Sequence, residues 1–192
     1  MSLIDRDQLP AKFASADIGE LLEEVAVQIA PFVSQRDQQM SIGVESGLIH
    51  PRVDRDYLGQ AILNIAMNAV RFTPDGGSVD FSARRVEEGV EIEVRDTGIG
   101  IAEVDQEKIF SKLVELKDVN SHSSGTAEFN SSGLGLGLSI ARGIIEAHGG
   151  TIHVESQVGT GSTFRILLPI SKESKAPSET TPTDTRSQIQ TT

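Results

Sequence analysis

Gln60, Asn64, Asn68 and Arg71 recur at intervals of four, four and three residues. On a helix, that spacing puts all four side chains on one face. Asparagine suits a helix interior poorly, because its short amide competes for the backbone's own hydrogen bonds. Two of them one turn apart ask for a purpose. A carboxamide oxygen can complete the shell of a magnesium ion, which takes few protein ligands and keeps phosphate and water for the rest. Arg71, on the same face, could then meet a phosphate directly. A solvated helix face with two ordinary asparagines fits the same residues.

Three glycine segments follow. Asp96-Thr97-Gly98-Ile99-Gly100-Ile101 comes just after a predicted strand ending at Val94. An ionised carboxylate only accepts hydrogen bonds and the adenine amino group donates them, so aspartate beside permissive glycines suits base recognition. A plain turn closing a strand is the other reading. Gly133-Leu134-Gly135-Leu136-Gly137-Leu138 opens a predicted helix. Glycines there let a phosphate reach free amides and the positive end of the helix dipole, although a glycine hinge would look the same. No strand precedes this run and no Gly-Lys-Ser/Thr follows, so it is neither a Rossmann fingerprint nor a Walker loop. Gly159-Thr160-Gly161-Ser162-Thr163-Phe164 reads as a tight turn entering a strand.

The elements that must position these residues show in the apolar periods. Asp17 with Glu20 three residues on has capping-box spacing, and Ile18, Leu21, Leu22, Val25, Ile29 and Val33 then form a helical stripe. Met40, Ile42 and Val44 alternate as in a half-buried strand. From Asp54 the helical period returns through Leu58, Ala61, Ile62, Ile65, Ala66 and Ala69, and Pro74-Asp75-Gly76-Gly77 ends it. Val79, Phe81 and Ala83, then Val90, Ile92 and Val94, read as a hairpin turning at Glu87-Glu88-Gly89. Residues 112–132 are polar and aperiodic, a long loop. A third helix runs from about Gly137 to His148, stopped by Gly149-Gly150. Ile152 and Val154, then Phe164, Ile166 and Leu168, alternate as strands. The sum predicts an α/β two-layer sandwich, with a mixed, mostly antiparallel sheet and three helices on one face. Residues 1–16 read as a linker or the stub of a connecting helix, 17–170 as the domain, and 171–192 as a disordered tail or linker.

The 192 residues include no cysteine, which removes disulfide scaffolds and thiolate metal sites and favours a cytoplasmic setting. The formal net charge of −11 comes without a basic stripe, which argues against nucleic acid as a partner. A polyphosphate would have to be neutralised locally. No apolar run approaches the ~20 residues of a membrane span, so a membrane anchor would belong to a longer parent protein.

In combination and order, the segments resemble the catalytic domain of bacterial sensor histidine kinases. Asn64-Ile-Ala-Met-Asn68-Ala69-Val-Arg71-Phe72-Thr73-Pro74 resembles the asparagine box, and Asp96-Thr-Gly98-Ile-Gly100 the first glycine box. Ile109-Phe110-Ser111-Lys112 resembles the phenylalanine box. Gly133-Leu-Gly135-Leu136-Gly137, running into Glu146-Ala-His148-Gly-Gly, resembles the second glycine box and its helix. Gly159-Thr-Gly-Ser-Thr163-Phe resembles the closing turn. The likeness covers residues 17–170.

The resemblance implies an ATP-binding domain with a lid at about 112–134. It makes Asn68 the principal magnesium ligand, with Asn64 near the phosphates, Arg71 on a phosphate and Phe72 over the adenine. It assigns Asp96 to the adenine amino group, Gly98, Gly100 and Ile101 to the pocket, and Thr163 to the base through water. Gly133, Gly135, Leu136 and Gly137 would form the phosphate turn. The lid holds no arginine, which leaves Lys112 or Lys117 for the terminal phosphate. None of His50, His122, His148 and His153 begins the family's His-acid-x-Arg-x-Pro acceptor segment. His148 is expected in a last helical turn, as a cation or a dipole-matched ring. The implied partners are a histidine-bearing dimerisation domain of the same parent and a downstream response regulator, with the isolated chain a monomer. Gyrase-type and chaperone ATPases place a water-activating glutamate one turn before the metal asparagine, where this chain has Asn64. An anti-sigma-type serine kinase and a degenerate nucleotide-binding signalling module are the alternative readings.

Overall fold

The first long helix begins where the sequence places its cap. The Asp17 carboxylate accepts the Glu20 N–H at 3.2 Å, and α1 (Ile18–Gln35) buries the predicted stripe together with Ala26. In this computed structural model residues 12–111 and 136–170 are described. The predicted lid with Lys112, Lys117, His122, Gly133 and Gly135, and the predicted tail, lie outside the described residues.

A two-residue strand, β1 (Ala14–Ser15), precedes α1 and pairs antiparallel with β3 (Arg52–Val53). Between them lies β2 (Gln39–Val44). Next come α2 (Arg55–Phe72), the hairpin β4 (Ser78–Arg85) and β5 (Gly89–Asp96), and the short α3 (Glu103–Gln106) with a 3₁₀ turn at Lys108–Phe110. After the undescribed segment come α4 (Gly137–Ala147), β6 (Thr151–Gln157) and β7 (Gly161–Pro169). The main sheet runs β2-β4-β5-β7-β6, with β2 parallel to β4 and every other pair antiparallel.

Alternation explains the core. Val79, Phe81 and Ala83 of β4, Val90, Ile92 and Val94 of β5, and Phe164, Ile166 and Leu168 of β7 are buried on one sheet face. They meet Leu22, Val25 and Ile29 of α1, Leu58, Ile62, Ile65 and Ala69 of α2, and Ala141, Ile144 and Ile145 of α4. The other face is polar, with Arg165 bonding Glu93 at 2.8 Å and also reaching Glu155. Among the described residues four α-helices rather than three are present, because the short α3 is only 4 residues long and carries no detectable period. The β2 strand is more exposed than half-buried: Ile42 and Val44 stand 37% and 38% exposed, since β2 is an edge strand with one neighbour.

Asp54 ties three segments together. Its Oδ1 caps α2 by accepting the Tyr57 N–H, and its Oδ2 accepts the Lys12 N–H at 2.6 Å. Its own N–H donates to His148 Nε2 at 3.0 Å, while His148 Nδ1 lies 2.7 Å from the Ile144 carbonyl oxygen. An Nε2 that accepts requires the proton on Nδ1, so His148 serves as a neutral bridge between α4 and the start of α2 rather than as a cation. Phe13 packs on the imidazole, ring centroids 5.0 Å apart.

Burial pushes the Asp54 carboxyl up, but N–H donors from Lys12, Tyr57 and Asp56 bring it below its ordinary value. A depressed native pKa gives stability that is present above the unfolded value and lost as pH falls through the folded one. Asp54→Ala should therefore cost about 1–2 kcal/mol near neutral pH, typical of a lost cap. The deficit should shrink toward pH ~3, where the carboxylate is protonated in the unfolded chain. Urea melts at the two pH values check this, and an equal deficit at both would contradict it.

Candidate functional site

The face predicted from spacing exists, and its chemistry is unspent. Asn64 and Asn68 are half-buried on α2, and neither carboxamide makes a hydrogen bond among the described residues. A half-buried amide with no protein partner keeps its donors and its acceptor available to water or a ligand. Arg71 is exposed, its guanidinium 5.5 Å from the Phe72 ring centroid, and it makes no ion pair among the described residues.

The start of α4 comes to this face. A Cβ built on Gly137 would stand 3.9 Å from Asn64 Cβ and Cγ, so the first turn of α4 lies against the asparagine. Among the described residues no side chain caps that end, Leu136 being the N-cap, so its first amides are not spent on a described cap. Free amides with the positive end of the dipole behind them favour an anion. Of the glycine run, Leu136 is the N-cap of α4 and Gly137 its first residue; Gly133 and Gly135 lie outside the described residues.

The far end of α2 meets the Asp96 segment. Phe72 O accepts the Ile99 N–H at 3.1 Å. A Cβ on Gly98 would lie 2.6 Å from both Phe72 O and Asp96 Oδ1, so only glycine permits the approach. Gly100 adopts φ 71° and crosses close to the Gln157 carbonyl, a second place where a side chain would collide.

Asp96 is buried, and its Oδ1 accepts the Gly98 N–H at 2.8 Å and the Ser162 N–H at 3.2 Å. Its Oδ2 has no partner among the described residues yet is not sealed from solvent. The carboxylate therefore offers one oxygen anchored and one open. Burial raises its pKa from the ordinary value, and the two N–H donors pull against that shift. From Phe72, which touches the Asp96 segment, back to Asn64 is eight residues of helix, about 12 Å. One acceptor and one anion site stand at the two ends of that span, fitting an extended nucleoside triphosphate.

Ile101 is held by its N–H to Ser156 Oγ at 2.7 Å, and its carbonyl accepts from Gln106 Nε2 at 3.2 Å. Ser156 Oγ also donates to Gly161 O and lies 2.9 Å from Ser162 Oγ. Ser156 and Gln106 were not singled out from sequence, because the bonds that join the two segments, Ile101 N–H to Ser156 Oγ and Gln106 Nε2 to Ser156 O, span 55 and 50 positions.

Thr163 is the placement the structure corrects. Its register partners are Arg95 and Glu155, both exposed on the sheet face turned away from the helices. Strand alternation puts Ser162 on the helix-facing side, in register with Asp96. The residue beside Asp96 is therefore Ser162, and the signal was available: Ser162 shares the period-2 set of Phe164, Ile166 and Leu168.

No group of three or more His, Cys, Asp or Glu among the described residues could hold a metal. A cation at this site would thus depend on carboxamide oxygen, water and phosphate, the donor set magnesium accepts. Phe110 is buried, packing edge-on against Phe164 at 6.2 Å between centroids and beneath the Arg142 guanidinium at 5.7 Å. No helix among the described residues is long and apolar enough to cross a membrane.

Comparison with known proteins agrees with this geometry. Residues 53–172 match the family model described as histidine kinase-, DNA gyrase B-, and HSP90-like ATPase. The adaptive-response sensory kinase SasA of Synechococcus sp. (strain JA-3-3Ab) is 34% identical over 164 residues, covering 85% of this chain and 41% of that protein. The chain thus spans about two-fifths of that relative's length. Full-length ShkA, solved in complex with AMPPNP, aligns at TM-score 0.71 and 31% identity over 84% of this chain and 32% of that one. The catalytic domain of ThkA aligns at TM-score 0.69 and 27% identity over 82% of this chain and 95% of that one. ThkA has also been solved in complex with the response regulator protein TrrA, a match at TM-score 0.67 and 25% identity covering 85% of this chain and 43% of that one. From its buried aspartate to its paired asparagines, the chain belongs to the histidine kinase-, DNA gyrase B-, and HSP90-like ATPase family and carries the catalytic domain of a sensor histidine kinase.

Proposed function

We propose that this domain binds magnesium–ATP across α2 and the start of α4, and that it passes the terminal phosphoryl group to a histidine on a separate domain. One observation carries the reading: the open carboxamide of Asn64, one turn from that of Asn68, lies beside a helix start with no side-chain cap among the described residues, while Asp96 holds an open oxygen near the other end of α2. Magnesium, when bound, would neutralise charge on the phosphates, with Asn68 as its protein ligand and Asn64 beside it. Arg71 and the α4 amides would hold phosphate oxygens, and Lys112 is the proposed contact to the terminal one. Asp96 would accept from the adenine amino group, and Phe72 would cover the ring.

Asn64 cannot take a proton from water at neutral pH, so hydrolysis has no base at that position. The phosphoryl group is kept for a protein acceptor. The partners proposed are a histidine-bearing dimerisation domain and, downstream, a response regulator; the ThkA complex with TrrA supports the second. The setting proposed is the cytoplasm. Titration of a fluorescent ATP analogue should show saturable binding below millimolar concentration that strengthens with magnesium. No saturable binding with or without the metal would contradict the proposal.

A further inference from the structure

We propose that Arg36 and Gln38, in the turn joining α1 to β2, are positioning residues that hold the last turn of α2 in its nucleotide-binding pose. The proposal rests on the nucleotide reading above.

A helix ends with four carbonyls that have no partner within it. In α2 all four are met from elsewhere. Ala69 O accepts the Thr73 N–H and hydroxyl at 3.0 and 2.7 Å. Val70 O accepts Arg36 Nη1 at 2.6 Å and Gln38 Nε2 at 3.1 Å, and Arg71 O accepts Arg36 Nη1 at 3.1 Å. Phe72 O accepts the Ile99 N–H at 3.1 Å. Gln38 Nε2 continues to Thr73 O at 2.8 Å and toward Pro74 O at 3.4 Å. Two side chains from one distant turn thus fix the turn that carries Arg71 and Phe72 and follows Asn68.

Three details show that this clamp is specified. Asp37, between the two residues, has φ 48°, the one positive value at a described non-glycine residue. That left-handed step lies where the chain reverses out of α1, with Gln38 N–H donating back to Val33 O at 3.0 Å. Asp75 takes Arg36 Nε at 2.9 Å and so orients the guanidinium, whose charge also matches the negative end of α2. Finally, Gln38 Oε1 is buried without a partner. Rotating the amide would set that oxygen against three carbonyl oxygens, so the donors are kept in place with the acceptor left orphaned. A buried orphan of this kind is rare and marks a constraint.

The last turn of α2 links both ends of the site. Asn68 lies one turn back, and the Phe72 carbonyl holds the segment bearing Asp96 and Gly98. A small rotation there would move the metal-side amide and the base-side carboxylate together.

The test compares Gln38→Met, which keeps length and apolar volume, and Arg36→Lys, which keeps charge at a partly exposed site. Ile29→Val, a core change remote from the clamp, is the control for lost stability. Each is checked for folding by circular dichroism, then titrated with a fluorescent ATP analogue plus magnesium, with amide exchange followed at Thr73 and Ile99. Gln38→Met should weaken binding about tenfold or more, as loss of a supporting shell typically does. Arg36→Lys should weaken it less, and both should quicken exchange at Thr73 and Ile99 selectively. Ile29→Val should lower the melting temperature and leave affinity and those two amides alone. Unchanged affinity in both folded variants, or faster exchange spread evenly over the domain, would overturn the proposal. If the wild-type protein binds no nucleotide, the nucleotide reading fails, and selective exchange at the two amides then decides whether the clamp exists.

Discussion

Asn68→Ala should cut phosphoryl transfer to a separately supplied acceptor histidine by about 100-fold or more, the scale at which a misplaced reacting group costs rate. It should do so without destabilising the domain. Asn68 makes no side-chain hydrogen bond among the described residues, so truncation orphans no protein group. Alanine is also the better helix former, by a few tenths of a kcal/mol to ~0.7. A thermal melt should therefore show Asn68→Ala at or above the wild-type midpoint. The magnesium dependence of ATP-analogue binding should flatten in the same variant. A protein that keeps full transfer and full magnesium dependence without this amide would remove Asn68 from the metal site. Loss of folding would instead mean that the amide is structural.

Asp96→Asn should lower affinity for ATP about 10–100-fold and erase the preference for adenine over guanine. The open Oδ2 accepts, and the replacement can present a donor to the adenine amino group, so a buried donor then faces a donor. Mismatches of that kind cost ~1–3 kcal/mol. The empty domain should not suffer. Oδ1 of asparagine can still accept from Gly98 and Ser162, and burial has raised the native aspartate's pKa. For an acid, a raised native pKa means that the ionised form is disfavoured by folding. Its contribution opposes stability above the folded pKa and recedes as pH falls below it. Asp96→Asn should thus melt at or above wild type at neutral pH, and the difference should narrow in acid. Nucleotide binding by wild type should weaken on acidification from a higher pH than an ordinary carboxylate would show. Equal affinity for ATP and GTP in wild type would contradict the role, and so would a variant that binds ATP unchanged.

What the sequence revealed depended on distance along the chain. The stripes Ile18 to Val33 and Leu58 to Ala69, the hairpin about Gly89 and the Asp17 cap follow from neighbours within a few residues. The asparagine face was legible for the same reason, since helical spacing alone aligns Asn64 with Asn68. The assembly of the site was not. Gly137 meets Asn64 across 73 positions, and Ser162 meets Asp96 across 66. Chain folding makes those contacts, and no local period records them.

The β1–β3 pair and the Asp54–His148 bridge were hidden for the same reason, the bridge spanning 94 positions. At the end of a helix His148 reads as a cation or a dipole-matched ring; the distant N–H that it accepts selects the ring and sets its tautomer. Thr163 is a different kind of miss. Alternation with Phe164 already sends it to the far face and Ser162 to the near one. The resemblance drew attention to the motif, and strand geometry selects the residue within it. Arg36 and Gln38 carried no motif at all, and the carbonyls they meet, from Val70 to Pro74, are 32 to 36 positions away.

The central claim is that the domain holds ATP for transfer to a histidine on another domain. The most direct measurement incubates the chain with labelled ATP and magnesium, alone and then with the histidine-bearing segment of its parent. The account predicts label on that segment only when both are present, with none on the chain itself and little ATP consumed without the acceptor. Acid-labile phosphate on His50, His122, His148 or His153 of the chain alone, or rapid steady hydrolysis of ATP, would contradict it.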